Sequence, residues 1–303
     1  MHPALSIIVF TTASGLGYGL AAVLGLGLLD PAALATKIAH LLALALISGG
    51  LLSSLLHLGN PQRAWRALSQ WRSSWLSREG VMAILTFAPL VWSASASILE
   101  GRYLPLPGIA GTLMCAVTVY CTSMIYGSMK SVQAWHTPLT PACYLLFSAA
   151  GGLLLASVFA LASGKGAGVC LLVGAAFVVA AWVMKLRWWR RLDETAPLST
   201  PESATGLGAI GRVRLFERPH VNENYLTREM GYRIARKHAD KLRRIALLAG
   251  GALPLLFAVS AAITNTAPGI VLAAAASLSF TAGILVERWL FFATARHAVM
   301  NYY

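Results

Sequence analysis

The chain has 303 residues, of which 57% are hydrophobic and only 12% charged, with a mean hydropathy of +0.66. Soluble proteins carry roughly twice that share of charged residues, so a soluble enzyme core is excluded and an integral membrane protein is implied. The net charge of +13 comes with no nucleic-acid-binding motif. On a membrane protein it reads as basic loops kept in the cytoplasm.

Apolar runs bounded by Pro, Gly and charge predict eight spans, at 5–28, 38–58, 80–99, 108–128, 143–162, 168–185, 245–264 and 269–287. The expected fold is therefore all-α, an integral membrane bundle of eight transmembrane helices forming a single domain over 1–303. His2 alone precedes the first run, without a basic n-region or a small-residue cleavage site, so that run is expected to remain as a span. Counted by loop, 21 of the 24 Lys and Arg fall in the even-numbered loops and the C-terminal tail, leaving Lys37, Arg102 and Lys165 in the odd-numbered loops. This split predicts both termini, the 59–79 loop and the long 185–244 loop in the cytoplasm. A multi-pass membrane protein follows.

Cys115, Cys121, Cys143 and Cys170 lie in apolar stretches without CxxC or Cys/His spacing, and read as packing residues rather than zinc or iron–sulfur ligands. His40 and His57 are seventeen residues apart on one predicted helix, roughly 25 Å, and cannot share a haem. His136, His220, His238 and His297 fall in or beside loops. Neither haem nor cluster is expected in this chain. No predicted span carries a mid-membrane charge and no internal repeat is visible, which weakens the alternative of a small-solute transporter.

The richest stretch runs from His57-Leu58-Gly59-Asn60-Pro61-Gln62-Arg63-Ala64-Trp65 through Trp71 and Trp75 to Leu76-Ser77-Arg78-Glu79-Gly80. His57 is predicted to close the second span and Glu79 to open the third, bringing an imidazole and a carboxylate to one membrane face. Trp65, Leu68, Trp71 and Trp75 recur every three or four residues opposite Arg63, Arg66, Gln70 and Ser73, which predicts an interfacial amphipathic helix over 59–79. His57 and Glu79 suit proton exchange with a lipid-soluble quinone, whose reduction takes two electrons and two protons. The competing structural reading has His57 capping helix carbonyls and Glu79 paired with Arg78 or Arg63.

At this motif the sequence resembles the membrane-anchor family of DMSO-reductase-type molybdoenzymes, the DmsC-like subunits, in its His-Leu-Gly-x-Pro-x-Arg-Ala stretch and the downstream Leu-Ser-x-Glu. A second block, Tyr126, Ser128, Val132, Trp135 and Thr140-Pro141, and a third, Ala282-Gly283 with Arg288 and Phe291, are also similar. The resemblance implies an anchor with no redox cofactor of its own. It would bind a ferredoxin-like iron–sulfur subunit and a molybdopterin catalytic subunit and exchange electrons with ubiquinone or menaquinone. It also implies quinone binding by His57 and Glu79. The neighbours Arg78, Trp71, Tyr126 and Lys130 are candidate contributors because they reach the same face. The long loop and the basic tail ending Val286-Glu287-Arg288-Trp289-Leu290-Phe291-Phe292 look more like the sulfite-oxidising branch, which passes electrons from sulfite to quinone. The alternative is a quinol-oxidising anchor of a DMSO or S-oxide reductase.

Within the long loop, 193–221 reads as irregular chain rich in Pro, Ser and Thr. From Asn222 a basic helix is predicted, with Glu229 and Arg233 at favourable i, i+4 spacing. Arg233, Arg236, Lys237 and Lys241 are candidates for docking the soluble partner subunits, or for contact with membrane lipid.

Overall fold

The computed structural model describes residues 3–56, 58–214, 216–217, 238–264 and 267–302. It is all-helical among these residues, and eight helices are long and apolar enough to cross a membrane. They are α1 (Leu5–Gly25), α2 (Leu34–Leu55), α3 (Trp75–Ser95, continued by a π turn to Glu100), α4 (Pro105–Gly127), α5 (Leu139–Ser163), α6 (Ala167–Glu194), α7 (Ala239–Thr264, with a π turn at Leu248–Ala252) and α8 (Ala267–Ala293). The longer connections are those between α2 and α3 and between α6 and α7. Helix boundaries obey local chemistry: Ser74 caps α3 by accepting from the Ser77 amide, Pro105 opens α4 where no amide is needed, and Gly101 and Gly164 leave α3 and α5 in the left-handed conformation.

In a bilayer apolar side chains gain little by leaving lipid for each other, so close backbone approach has to hold the bundle. The crossing of α1 and α5 is such a contact: a Cβ on Gly152 would land on the backbone of Gly19, and one on Gly19 would strike the Ser148 carbonyl. The crossing of α7 and α8 repeats the device with Gly250 against Gly283. There the π turn of α7 also presents the Gly250 carbonyl to the Trp182 indole of α6, at 2.6 Å. α1 and α5 lie at the centre, with α2, α4, α6 and α8 packed around them.

Two expectations need correcting. The helix expected over 59–79 is present but shorter, a three-ten helix over Pro61–Gln70, and Trp75 begins α3 instead of closing it. Trp65 is 66% and Trp71 54% exposed. Charged residues also lie inside the helices. α6 runs nine residues beyond Lys185 and α8 six beyond Glu287, so residues read as span ends are buried. The predicted helix from Asn222, with Arg233, Arg236 and Lys237, lies outside the described residues, as does His57. Lys241 is exposed in the first turn of α7.

Candidate functional site

One end of the bundle gathers the N-termini of α1, α3, α5 and α7 and the C-termini of α2, α4, α6 and α8. Near it, Glu79 enters the protein one turn into α3 and is only 5% exposed. The three-ten helix closes over this corner. The Ser77 hydroxyl donates to the Ala67 carbonyl, and the Leu68 side chain packs where a Cβ on Gly80 would sit. The Thr122 hydroxyl of α4 donates to Glu79 Oε1 at 2.5 Å. Because a hydroxyl can donate to a carboxylate or accept from a carboxylic acid, this partner serves Glu79 in either protonation state.

The remaining sequence-predicted residues separate into three places. Arg78 turns away from Glu79: its guanidinium donates to the Trp71 and Arg72 carbonyls and lies 4.2 Å from the Trp75 ring centroid. It clamps the end of the surface helix, and Trp71 contributes its carbonyl while its ring stays exposed. Tyr126 is buried in an aromatic cluster, edge-on to Trp135, Phe291 and Phe292 and stacked on Tyr144. Lys130 is exposed.

A second buried group was not expected from sequence. Lys185 Nζ of α6 lies 2.5 Å from Glu287 Oε1 of α8, and Arg288 Nε lies 3.5 Å from Glu287 Oε2, with all three side chains at most 3% exposed. The cations are roofed by aromatic faces, Lys185 at 3.7 Å from Trp188 and Arg288 at 3.7 Å from Tyr144. Such stacking offsets part of the desolvation that makes buried ions expensive.

Between Glu79–Thr122 and this ion cluster is a cavity of about 20 Å³ lined by Thr12, Tyr18, Thr122, Tyr144 and Arg288 among others. Thr12 Oγ1, Tyr18 OH, Tyr144 OH and Arg288 Nη1 are buried without a hydrogen-bond partner among the described residues. Buried polar groups are nearly always satisfied, so a cluster of open donors marks a place adapted to a polar guest. Thr12 and Tyr18 carry no sequence signal because isolated hydroxyls in an apolar run look like packing. Arg288 does stand in the third resembling block, and Tyr144 borders the second.

The buried carboxyl, open hydroxyls and helical bundle define a multi-pass membrane protein with a polar site inside its bundle. Residues 1–293 match the family of DMSO reductase anchor subunits (DmsC), and the chain belongs to that family, the membrane anchors of molybdoenzyme complexes. It is similar to one of the subunits of the sulfite dehydrogenase of Allochromatium vinosum, at 33% identity over 335 aligned positions covering all of this chain and 99% of the relative. No solved structure gives a significant match.

Proposed function

We propose that this chain anchors an iron–sulfur subunit and a molybdopterin catalytic subunit to a bacterial cytoplasmic membrane and passes their electrons to quinone beside Glu79. The observation that carries the reading is a carboxyl buried in a transmembrane helix and hydrogen-bonded to a neutral hydroxyl, at the end of the bundle where the predicted cytoplasmic loops emerge. Quinone reduction consumes two electrons and two protons. The chain offers a proton-exchanging group, and the electrons arrive from a docked neighbour. Similarity to part of a sulfite dehydrogenase supports sulfite as the electron source. His57 enters through its place before the loop and the family resemblance.

The test separates the membrane step from the soluble chemistry. In the assembled complex, Glu79→Gln and His57→Ala should abolish sulfite-to-quinone turnover while sulfite oxidation with an artificial dye continues. Normal quinone-linked rates in both variants would remove these residues from the exchange. Labelling of introduced cysteines in the 59–79 loop should occur only from the cytoplasmic side, and periplasmic labelling would overturn the placement of the site.

A further inference from the structure

On the far side of Tyr18 the polar cavity borders a much larger space. A groove of about 540 Å³ lies between α4 and α6, with α1 and α5 as its floor, and its walls are almost wholly apolar. It shares Tyr18, Val119 and Ser148 with the polar cavity. From there it runs along Ala116 and Val173 toward Leu26, at the opposite end of α1 from Glu79. It lies at the depth of the hydrocarbon, and wall residues such as Val169 and Val173 are exposed to it, at 50% and 38%.

We infer that this groove holds the isoprenoid tail of the quinone, with the ring at its inner end against Tyr18 and Ser148. The inference rests on the quinone-exchange reading above and adds where the molecule lies and how it enters. The polar cavity fits one water and no ring. The ring therefore stops at the Tyr18–Ser148 boundary, and a water with the open hydroxyls of Tyr18 and Thr12 carries the hydrogen-bonded path to Thr122 and Glu79. A guest for the joined spaces needs a compact polar end deep in the membrane and a long apolar chain. A phospholipid inverts that order, because its polar end stays at the surface and a methyl terminus would face the open hydroxyls. A quinone has the required order, and the gap between α4 and α6 gives it lateral entry from the bilayer.

Tail length is the readout. In the assembled complex, Ala116→Phe and Val173→Trp, both at exposed wall positions, fill the groove without entering the core. Leu113→Phe, 63% exposed on α4 and outside the groove, is the control. For a quinone with several isoprene units, the filling variants should raise KM by at least about tenfold, since each buried methylene contributes and tenfold is a small part of the total. For a tail-free quinone, KM should stay at the parent value, and the control should change neither. Equal effects on the two quinones, or none, would overturn the assignment. So would loss of a bound phospholipid in native mass spectrometry of Ala116→Phe with KM unchanged. If the parent complex reduced neither quinone while its dye activity persisted, the quinone-exchange reading itself would fall, and this inference with it.

Discussion

Two carboxyls are buried at the same end of this bundle, and they are treated in opposite ways. Glu287 is held between two cations, Lys185 and Arg288, which are themselves packed under aromatic rings. Glu79 meets a threonine hydroxyl. A carboxyl gripped by cations is fixed as an ion and serves as a structural joint, here between α6 and α8. A carboxyl held by a hydroxyl keeps both protonation states usable, and Glu79 lies beside a cavity with open donors. The difference teaches that burial alone does not mark the reactive group in a membrane; the identity of the partner does.

The comparison breaks first on stability. Glu287→Gln leaves Lys185 and Arg288 buried together without an anion, and removing one partner of a buried ion pair typically destabilises by about 3–5 kcal/mol. Lys185→Met should lose less, because the Glu287–Arg288 pair survives. Thermal unfolding in detergent checks both, and a Glu287→Gln protein that melts like the parent would end the structural reading of the cluster. Glu79→Gln should show the reverse pattern. It removes no ion pair and should shift stability by no more than about 1 kcal/mol. Quinone-linked turnover should nonetheless fall about a hundredfold or more, the usual scale for a lost proton-transfer group. Comparable damage to stability and turnover in both variants would erase the distinction.

A smaller effect is expected from the basic segment before α7. Replacing Arg233, Arg236, Lys237 and Lys241 together with Gln should weaken retention of the soluble subunits by roughly tenfold at low ionic strength and by less in high salt, as screened charge pairs require. Co-purification at parent levels at every salt concentration would leave this basic segment a lipid contact only.

The bundle is legible in the sequence because hydrophobic run length is a direct consequence of bilayer thickness, and all eight predicted spans correspond to helices. Glu79 is legible because its motif is local. The ion cluster is not, since Lys185 and Glu287 stand at the ends of apolar runs and nothing in either run reveals that its helix continues or that the two side chains meet. The surface helix is shorter than expected because the chain turns after Gln70 and Ser74 caps a new helix, so Trp75 belongs to α3. The pairing of Arg78 with Glu79 fails because neighbours in a helix point about 100° apart, which sends Arg78 to the loop carbonyls while Glu79 faces α4.

The finest test of the comparison is Thr122, since it is the partner that sets Glu79 apart from Glu287. Thr122→Val keeps the shape and removes the hydroxyl, leaving one carboxyl oxygen without its donor. A lost hydrogen bond to a buried group typically removes about 1–3 kcal/mol, so a fall in quinone-linked turnover of roughly five- to 150-fold is expected if the hydroxyl joins Glu79 to the cavity. Thr122→Ser restores the hydroxyl without the methyl group and should return most of the rate. The ratio of these two rates is informative because packing alone predicts the opposite ranking: valine fills the site as threonine does, whereas serine leaves a gap. Dye-linked oxidation by the soluble subunits should be unchanged in both. If Thr122→Val turned over quinone like the parent while Thr122→Ser was impaired, the hydroxyl would be a packing accident, and the neutrality of Glu79's partner would no longer explain why this carboxyl, rather than Glu287, is the one placed to exchange protons.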